Sequence, residues 1–282
     1  MIDVSFFFIR EQIIKAIRDF FFNQEFHEVV TPVLNDAIPL EPNIHPFKTE
    51  RFYLSTSPEK HLKKMLALGI GNCFSIGHSF RNLETSGPLH SPEFLMLEWY
   101  RKNATYNDIM NDVQNIIVSI YRYIDTYSKK KKLPFLSAKK WRRVSLVDLF
   151  KKYCRLEFKE IILNEQKLFN YAEKKKYQTK NATWNELYDQ IFVTEIEPQL
   201  PKKPCFLIDF PSRISPLCNP KKNDSYLAER FELYINQIEL ANGNTENTNV
   251  ESVKKGLRSP IDHEFLQSLK KIRDQAACQQ MM

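Results

Sequence analysis

Glycine is scarce in this chain of 282 residues: there are only six, at positions 69, 71, 77, 87, 243 and 256. A P-loop or a dinucleotide fingerprint needs glycines grouped tightly before a helix, and neither grouping occurs. A nucleotide bound here must be held by side chains on a sheet. Long apolar runs are lacking too. Phe6-Phe7-Phe8-Ile9 meets Arg10 and Glu11, and Phe20-Phe21-Phe22 follows Arg18 and Asp19. Nothing approaches the roughly 18 apolar residues of a membrane span, and no unbroken apolar stretch follows a basic start, as a secretory signal would require. A cytoplasmic protein without a membrane partner is expected. The five cysteines (Cys73, Cys154, Cys205, Cys218, Cys278) are scattered, with no Cys-x-x-Cys pair. That argues against a disulfide framework and a structural zinc site, and for reduced, mainly buried thiols.

What is present fits one sizeable domain, 43% hydrophobic, with a net charge of +7. The excess positive charge clusters at Lys129 to Lys132, at Lys139, Lys140, Arg142 and Arg143, and at Lys174 to Lys176. Around residues 128–204 the periodicity weakens into short lysine-rich helices, which read as a basic helical insertion within a single domain. Such a face is either simply solvated or docks an acidic macromolecule, RNA or protein.

Residues 5–22 have helical periodicity: Phe8, Ile9, Ile13, Ile14, Ile17, Phe20 and Phe21 lie opposite Arg10, Glu11, Lys15 and Arg18. Residues 26–32 read as a strand ending at Pro32. Ser57 is placed to cap a helix that begins at Pro58 and ends at Gly69. Residues 73–80 form a strand, and 105–127 an amphipathic helix capped by Asn107 or Thr105. Three late strands are expected at 205–211, 228–235 and 237–243, the last closing on an Asn242-Gly243 turn. The sum is an α+β fold, an antiparallel sheet flanked by helices.

The most informative stretch is Phe80-Arg81-Asn82-Leu83-Glu84, a polar gap, then His90-Ser91-Pro92-Glu93-Phe94-Leu95-Met96-Leu97-Glu98-Trp99-Tyr100. It reads as a hairpin able to hold a guanidinium and carboxylates rigidly over a polyphosphate. On its second strand Phe94, Met96 and Leu97 are expected on one face, with Glu93, Leu95 and Glu98 near the other.

With these residues the chain resembles the catalytic core of the class II lysyl-tRNA synthetase family. Residues 26–32 resemble the end of the family's motif 1, and residues 80–100 resemble motif 2. Thr56 to Glu59 and Glu229 to Gly243 follow the lysine-specific branch. The sequence begins close to the motif 1 helix, so the resemblance implies a member without an anticodon-reading barrel. Glu98-Trp99-Tyr100 and the Ala228 to Tyr234 segment also suit the branch that attaches (R)-β-lysine to a lysine of elongation factor P, an acidic, tRNA-shaped protein.

The resemblance implies ATP and Mg²⁺ as cofactors. It implies Arg81 as the catalytic residue that neutralises the α-phosphate, and Arg81, Asn82, Glu84, Ser91, Glu239 and Leu240 as the ATP site. Glu239 and Glu246 are expected to hold the metal. Ser57, Pro58, Glu59, Tyr100 and Glu246 are expected to bind lysine or β-lysine. Glu239 and Glu246 are an odd number of positions apart, so a regular strand would point them to opposite faces; the Asn242-Gly243 turn is expected to reunite them. The implied dimer forms through residues 5–32.

Three departures accompany the resemblance. Ser91 stands where the family has asparagine, the motif 2 loop is one residue longer, and no glycine follows Gly256. Arg273 lacks the glycine-rich context of motif 3, so a central strand and a helix are expected to be missing. The leading reading is an ATP-dependent ligase acting on elongation factor P. The alternatives are a lysyl-tRNA synthetase-like fragment acting on tRNA, and a non-catalytic relative that only binds ligand or partner.

Overall fold

The computed structural model describes residues 4–36, 44–83, 90–125, 141–256, 263–272 and 276–281. In chain order the elements are α1 (Ser5–Phe22), β1 (His27–Glu28), β2 (Leu34–Asn35), β3 (Tyr53–Leu54), α2 (Glu59–Ala67), β4 (Cys73–Phe80), β5 (Glu93–Lys102) and α3 (Tyr106–Asp125). There follow β6 (Arg142–Ser145), α4 (Leu146–Leu149), α5 (Phe158–Leu163), α6 (Glu165–Lys174), α7 (Trp184–Ile191) and β7 (Cys205–Ile208). The chain continues through β8 (Arg230–Ile235), β9 (Ile238–Thr245), α8 (Val250–Gly256), α9 (His263–Ile272) and β10 (Ala276–Met281).

Eight strands make one sheet in the order β1-β4-β5-β10-β9-β8-β7-β6. Its inner pairings are antiparallel, and only the outer pairs β1·β4 and β6·β7 are parallel. The expected antiparallel sheet flanked by helices is therefore present. The central strand expected to be missing is present as well: β10 lies between β5 and β9 and pairs with both. Arg273 lies outside the described residues.

The two faces of the sheet differ in chemistry because side chains alternate along each strand. One face carries Phe74, Leu97, Trp99, Phe206, Phe231, Leu233 and Ala241, and packs against Ile109, Met110, Val113 and Ile116 of α3 and Ile17 and Phe21 of α1. This face corrects the expected assignment on β5. Leu97 goes with Trp99 into the apolar layer, while Glu98 shares its face with Phe94, Met96 and Tyr100, as strict alternation requires.

The stretch read as a basic helical insertion is described from Trp141 onward. Its β6 extends the sheet, and α4 to α7 bury Phe150, Phe158, Leu168, Trp184, Tyr188 and Ile191 in a core cluster that reaches Cys205, Leu207 and Tyr234. Phe150 stacks on Tyr188, which stacks on Trp184. The aromatic residues of this stretch, more than its lysines, decide the fold, since each buries a large apolar area. The lysine cluster at 129–132, with Lys139 and Lys140, lies outside the described residues.

Two local expectations need correction. Pro58, not Ser57, is the N-cap of α2, and it provides no side-chain hydrogen bond. Asn242-Gly243 is not a turn, because β9 runs through it to Thr245. The β8–β9 turn is at Asn236 and Gln237, both at positive φ (54° and 64°), the backbone that a tight two-residue hairpin turn demands.

Candidate active site

The second face of the sheet gathers the polar side chains. On β8, Arg230, Glu232 and Tyr234 alternate onto it, and their partners on β9 are Asn244, Asn242 and Glu239. Those pairings need a slip of register. Leu233 lies opposite Ala241, yet Tyr234 lies opposite Glu239, so Leu240 is the extra residue of a β-bulge. The bulge does what the expected turn was to do: it places Glu239 on the same face as Asn242, Asn244 and Glu246. Asn242 donates to Glu239 Oε1 at 3.5 Å, and Asn244 Nδ2 donates to Glu246 Oε1 at 3.3 Å. Leu240 itself packs against the apolar layer, so only its backbone is available to a ligand on the polar face.

Three groups line this face. At the end of β4, Arg81 is buried. Its Nε donates to the Thr56 carbonyl at 3.4 Å, and its guanidinium lies 5.4 Å from the Phe94 ring. The Phe80 N–H donates to the Ser55 carbonyl at 2.8 Å, and Ser55 Oγ donates to the Ser57 carbonyl at 2.8 Å. These bonds fasten the segment Ser55-Thr56-Ser57-Pro58-Glu59 beside Arg81.

In the second group, Lys63 Nζ lies 2.6 Å from Glu59 Oε1 and 2.7 Å from Glu246 Oε2. On β5, Tyr100 donates its hydroxyl proton to Glu98 Oε1 at 2.8 Å, and both residues are fully buried. Burial raises the carboxyl pKa of Glu246; the Lys63 ammonium opposes that shift, and the charge of Glu59 reinforces it.

The third group is Arg230, Glu232, Tyr234 and Glu239. Arg230 Nη2 donates to Glu232 Oε1 at 2.7 Å, and the Tyr234 hydroxyl donates to Glu232 Oε2 at 3.1 Å. Glu239 is half-buried, with protein atoms close around its carboxyl. That desolvation and the neighbouring charge of Glu232 raise its carboxyl well above the usual range, against the pull of Arg230 and Asn242.

Of the residues expected in the site, Arg81, Ser57, Pro58, Glu59, Tyr100, Glu239 and Glu246 thus lie on or beside one face. Asn82 is half-buried, but its side-chain oxygen accepts from the Leu83 N–H at 3.0 Å. Ser91 is exposed, two residues before β5 begins. Glu84 lies outside the described residues. Glu239 and Glu246 share the face without forming a ready-made metal cage: among the described residues no group of three or more His, Cys, Asp or Glu is arranged to hold an ion. Glu239, a crowded carboxyl that a nearby cation would return to its charged form, fits an ion whose remaining ligands are phosphate oxygens and water.

The sequence reading overlooked Glu98, Lys63, Arg230 and Glu232. Glu98 was available from strict alternation along Phe94, Met96, Glu98 and Tyr100. Lys63 was signalled by its i,i+4 spacing from Glu59.

Residues 4–271 match the family described as class II tRNA synthetases (D, K and N). The chain belongs to this family. Among its relatives, the elongation factor P–(R)-β-lysine ligase of Buchnera aphidicola subsp. Schizaphis graminum is 34% identical over 83% of this chain and 71% of its own length. The ligase of the same name from Baumannia cicadellinicola is 34% identical over 86% of this chain and 74% of its own length. The lysine–tRNA ligase of Vesicomyosocius okutanii is 32% identical over 91% of this chain, but this class II chain spans only 53% of that relative. Among the described residues, no helix of this synthetase-family chain is long and apolar enough to cross a membrane.

Proposed function

We propose that the chain is an ATP-dependent ligase that activates lysine or (R)-β-lysine as the adenylate and transfers it to a lysine of elongation factor P. The observation that carries this reading is the buried acidic cluster of Glu59, Glu246 and Glu98, with Tyr100, on the face that also carries the Arg81 guanidinium. Carboxylates held in a desolvated site select a substrate rich in ammonium groups and reject one that leaves them unpaired. Arg81 would meet the substrate carboxylate and the α-phosphate.

In the first step a substrate carboxylate oxygen attacks the α-phosphorus and pyrophosphate leaves. Arg81, held by Thr56 and Phe94, neutralises charge growing on the α-phosphate at no cost of reorganisation. Glu239 would hold Mg²⁺, which when bound neutralises the phosphates of ATP. Asn82, Glu84, Ser91 and the backbone of Leu240 complete the proposed ATP site. In the second step the acceptor amine attacks the adenylate carbonyl and AMP leaves. Ser57 and Pro58 hold the substrate end of the pocket next to Glu59.

The exposed Arg142 and Arg143 on β6 and Lys174 to Lys176 at the end of α6 favour an acidic acceptor. A transfer assay with labelled (R)-β-lysine tests the reading, offering elongation factor P and lysine tRNA in parallel. Label on elongation factor P is expected, and label on tRNA alone would replace this acceptor by the other. The apolar side chains left exposed on α1, Phe6, Phe7, Phe8 and Phe22, support a homodimer through residues 5–32.

A further inference from the structure

Lys63 is 0% exposed, and no step above uses it. Burying an ammonium is costly unless it is paired closely, and a surface pair would hold α2 as well. Its surroundings come from several elements. Glu59 is one turn away on α2, and Glu246 follows β9, with Asn244 bonded to it. The Tyr100 ring of β5 lies 5.9 Å from Nζ and the Phe265 ring of α9 lies 5.6 Å from it. Cys218 is close enough to feel its charge.

Lys63 Nζ thus bridges two buried carboxylates that come from different elements, Glu59 on α2 and Glu246 after β9.

We propose that Lys63 is a positioning residue of the lysine site: its ammonium clamps the Glu59 and Glu246 carboxylates in the places from which they would meet a substrate ammonium. This inference rests on the lysine-activating reading above and adds to it a residue that touches neither substrate nor phosphate.

Calorimetric binding of L-lysine, and separately of a non-hydrolysable ATP analogue, tests it on five proteins: wild type, Lys63→Arg, Lys63→Met, Glu246→Gln and the double variant. Lys63→Met should weaken lysine binding by about a hundredfold, the scale expected when binding groups shift by about 1 Å. Binding of the ATP analogue should stay within about twofold, and Lys63→Arg should recover most of the loss. On the Glu246→Gln background Lys63→Met should cost less than about fivefold, because the clamp has already lost one arm. If Lys63→Met alone does not fold, as judged by circular dichroism, Glu246→Gln and the charge-balanced double variant still give this comparison. Equal losses for lysine and the ATP analogue, or the same cost of Lys63→Met on both backgrounds, would overturn the inference alone. A folded wild-type protein that binds no lysine would overturn the lysine reading and this inference together.

Discussion

Glu239 lies opposite Tyr234 across the β8–β9 pair, one residue out of the register that places Ala241 opposite Leu233. That slip at Leu240 brings Glu239 onto the face that carries Glu246. Without it the carboxylate would project into the apolar layer under Phe231 and Leu233. One extra residue in β9 therefore decides whether Glu239 joins Glu98, Glu232 and Glu246 on the polar face.

The Glu98–Tyr100 pair gives the first prediction. Glu98→Gln keeps the shape of the side chain and removes its charge, and Tyr100→Phe removes the hydroxyl that Glu98 accepts from. Each should raise the KM for lysine by about 10- to 100-fold, the worth of a charged hydrogen bond in a buried site. The KM for ATP should move little. Steady-state kinetics with both substrates varied would check the split.

Arg81 gives the second. Lysine in its place retains charge but not the planar pair of donors. Arg81→Lys should lower kcat for adenylate formation by about 10²–10³-fold, the usual loss when one stabilising donor is removed. Single-turnover adenylate formation is the readout, and a loss of under about threefold would remove Arg81 from the chemistry.

How much of this was legible in the chain depends on the range of the forces involved. The helix at residues 5–22 and the strand at 73–80 follow from local periodicity and were read correctly. The Asn242-Gly243 pair misled because its turn propensity is local, whereas β9 is held straight by β8 and β10 on either side. The position of Ala276–Met281 between β5 and β9 was hidden because nothing in its own sequence reports which strands it joins. Glu59 and Glu246 were each legible as candidates, but their bridging by Lys63 was not, because the contact with Glu246 is set by tertiary packing.

A third prediction concerns the helical segment after β6. Glu195 accepts from the Tyr171 hydroxyl at 2.8 Å, the Tyr177 hydroxyl at 2.9 Å and Lys175 Nζ at 2.9 Å. Burial alone would raise its pKa, but the Lys175 ammonium and the two hydroxyls outweigh it and hold it below its ordinary value. A carboxyl with a depressed folded pKa stabilises the fold above its unfolded pKa, and this contribution disappears as pH falls through the folded value. Glu195→Gln should therefore cost about 1–3 kcal/mol at neutral pH. The gap from wild type should close below the ordinary value of 4.5. Urea melts at pH 7 and pH 4 would measure it.

The fourth concerns assembly. Phe6 is 68% exposed and Phe8 62% exposed on α1, a contiguous apolar stretch that a second copy would cover. Wild type should sediment as a dimer at micromolar concentration, and the double variant Phe6→Asp/Phe8→Asp as a folded monomer. A monomeric wild type would remove the proposed dimer.

The central claim is that this polar face activates lysine, and ATP–pyrophosphate exchange tests it most directly. Purified protein with ATP and Mg²⁺ would be assayed with (R)-β-lysine, with α-lysine and with no amino acid. The account predicts exchange that depends on the amino acid and is fastest with (R)-β-lysine. A folded protein that gives no exchange with either lysine would contradict it.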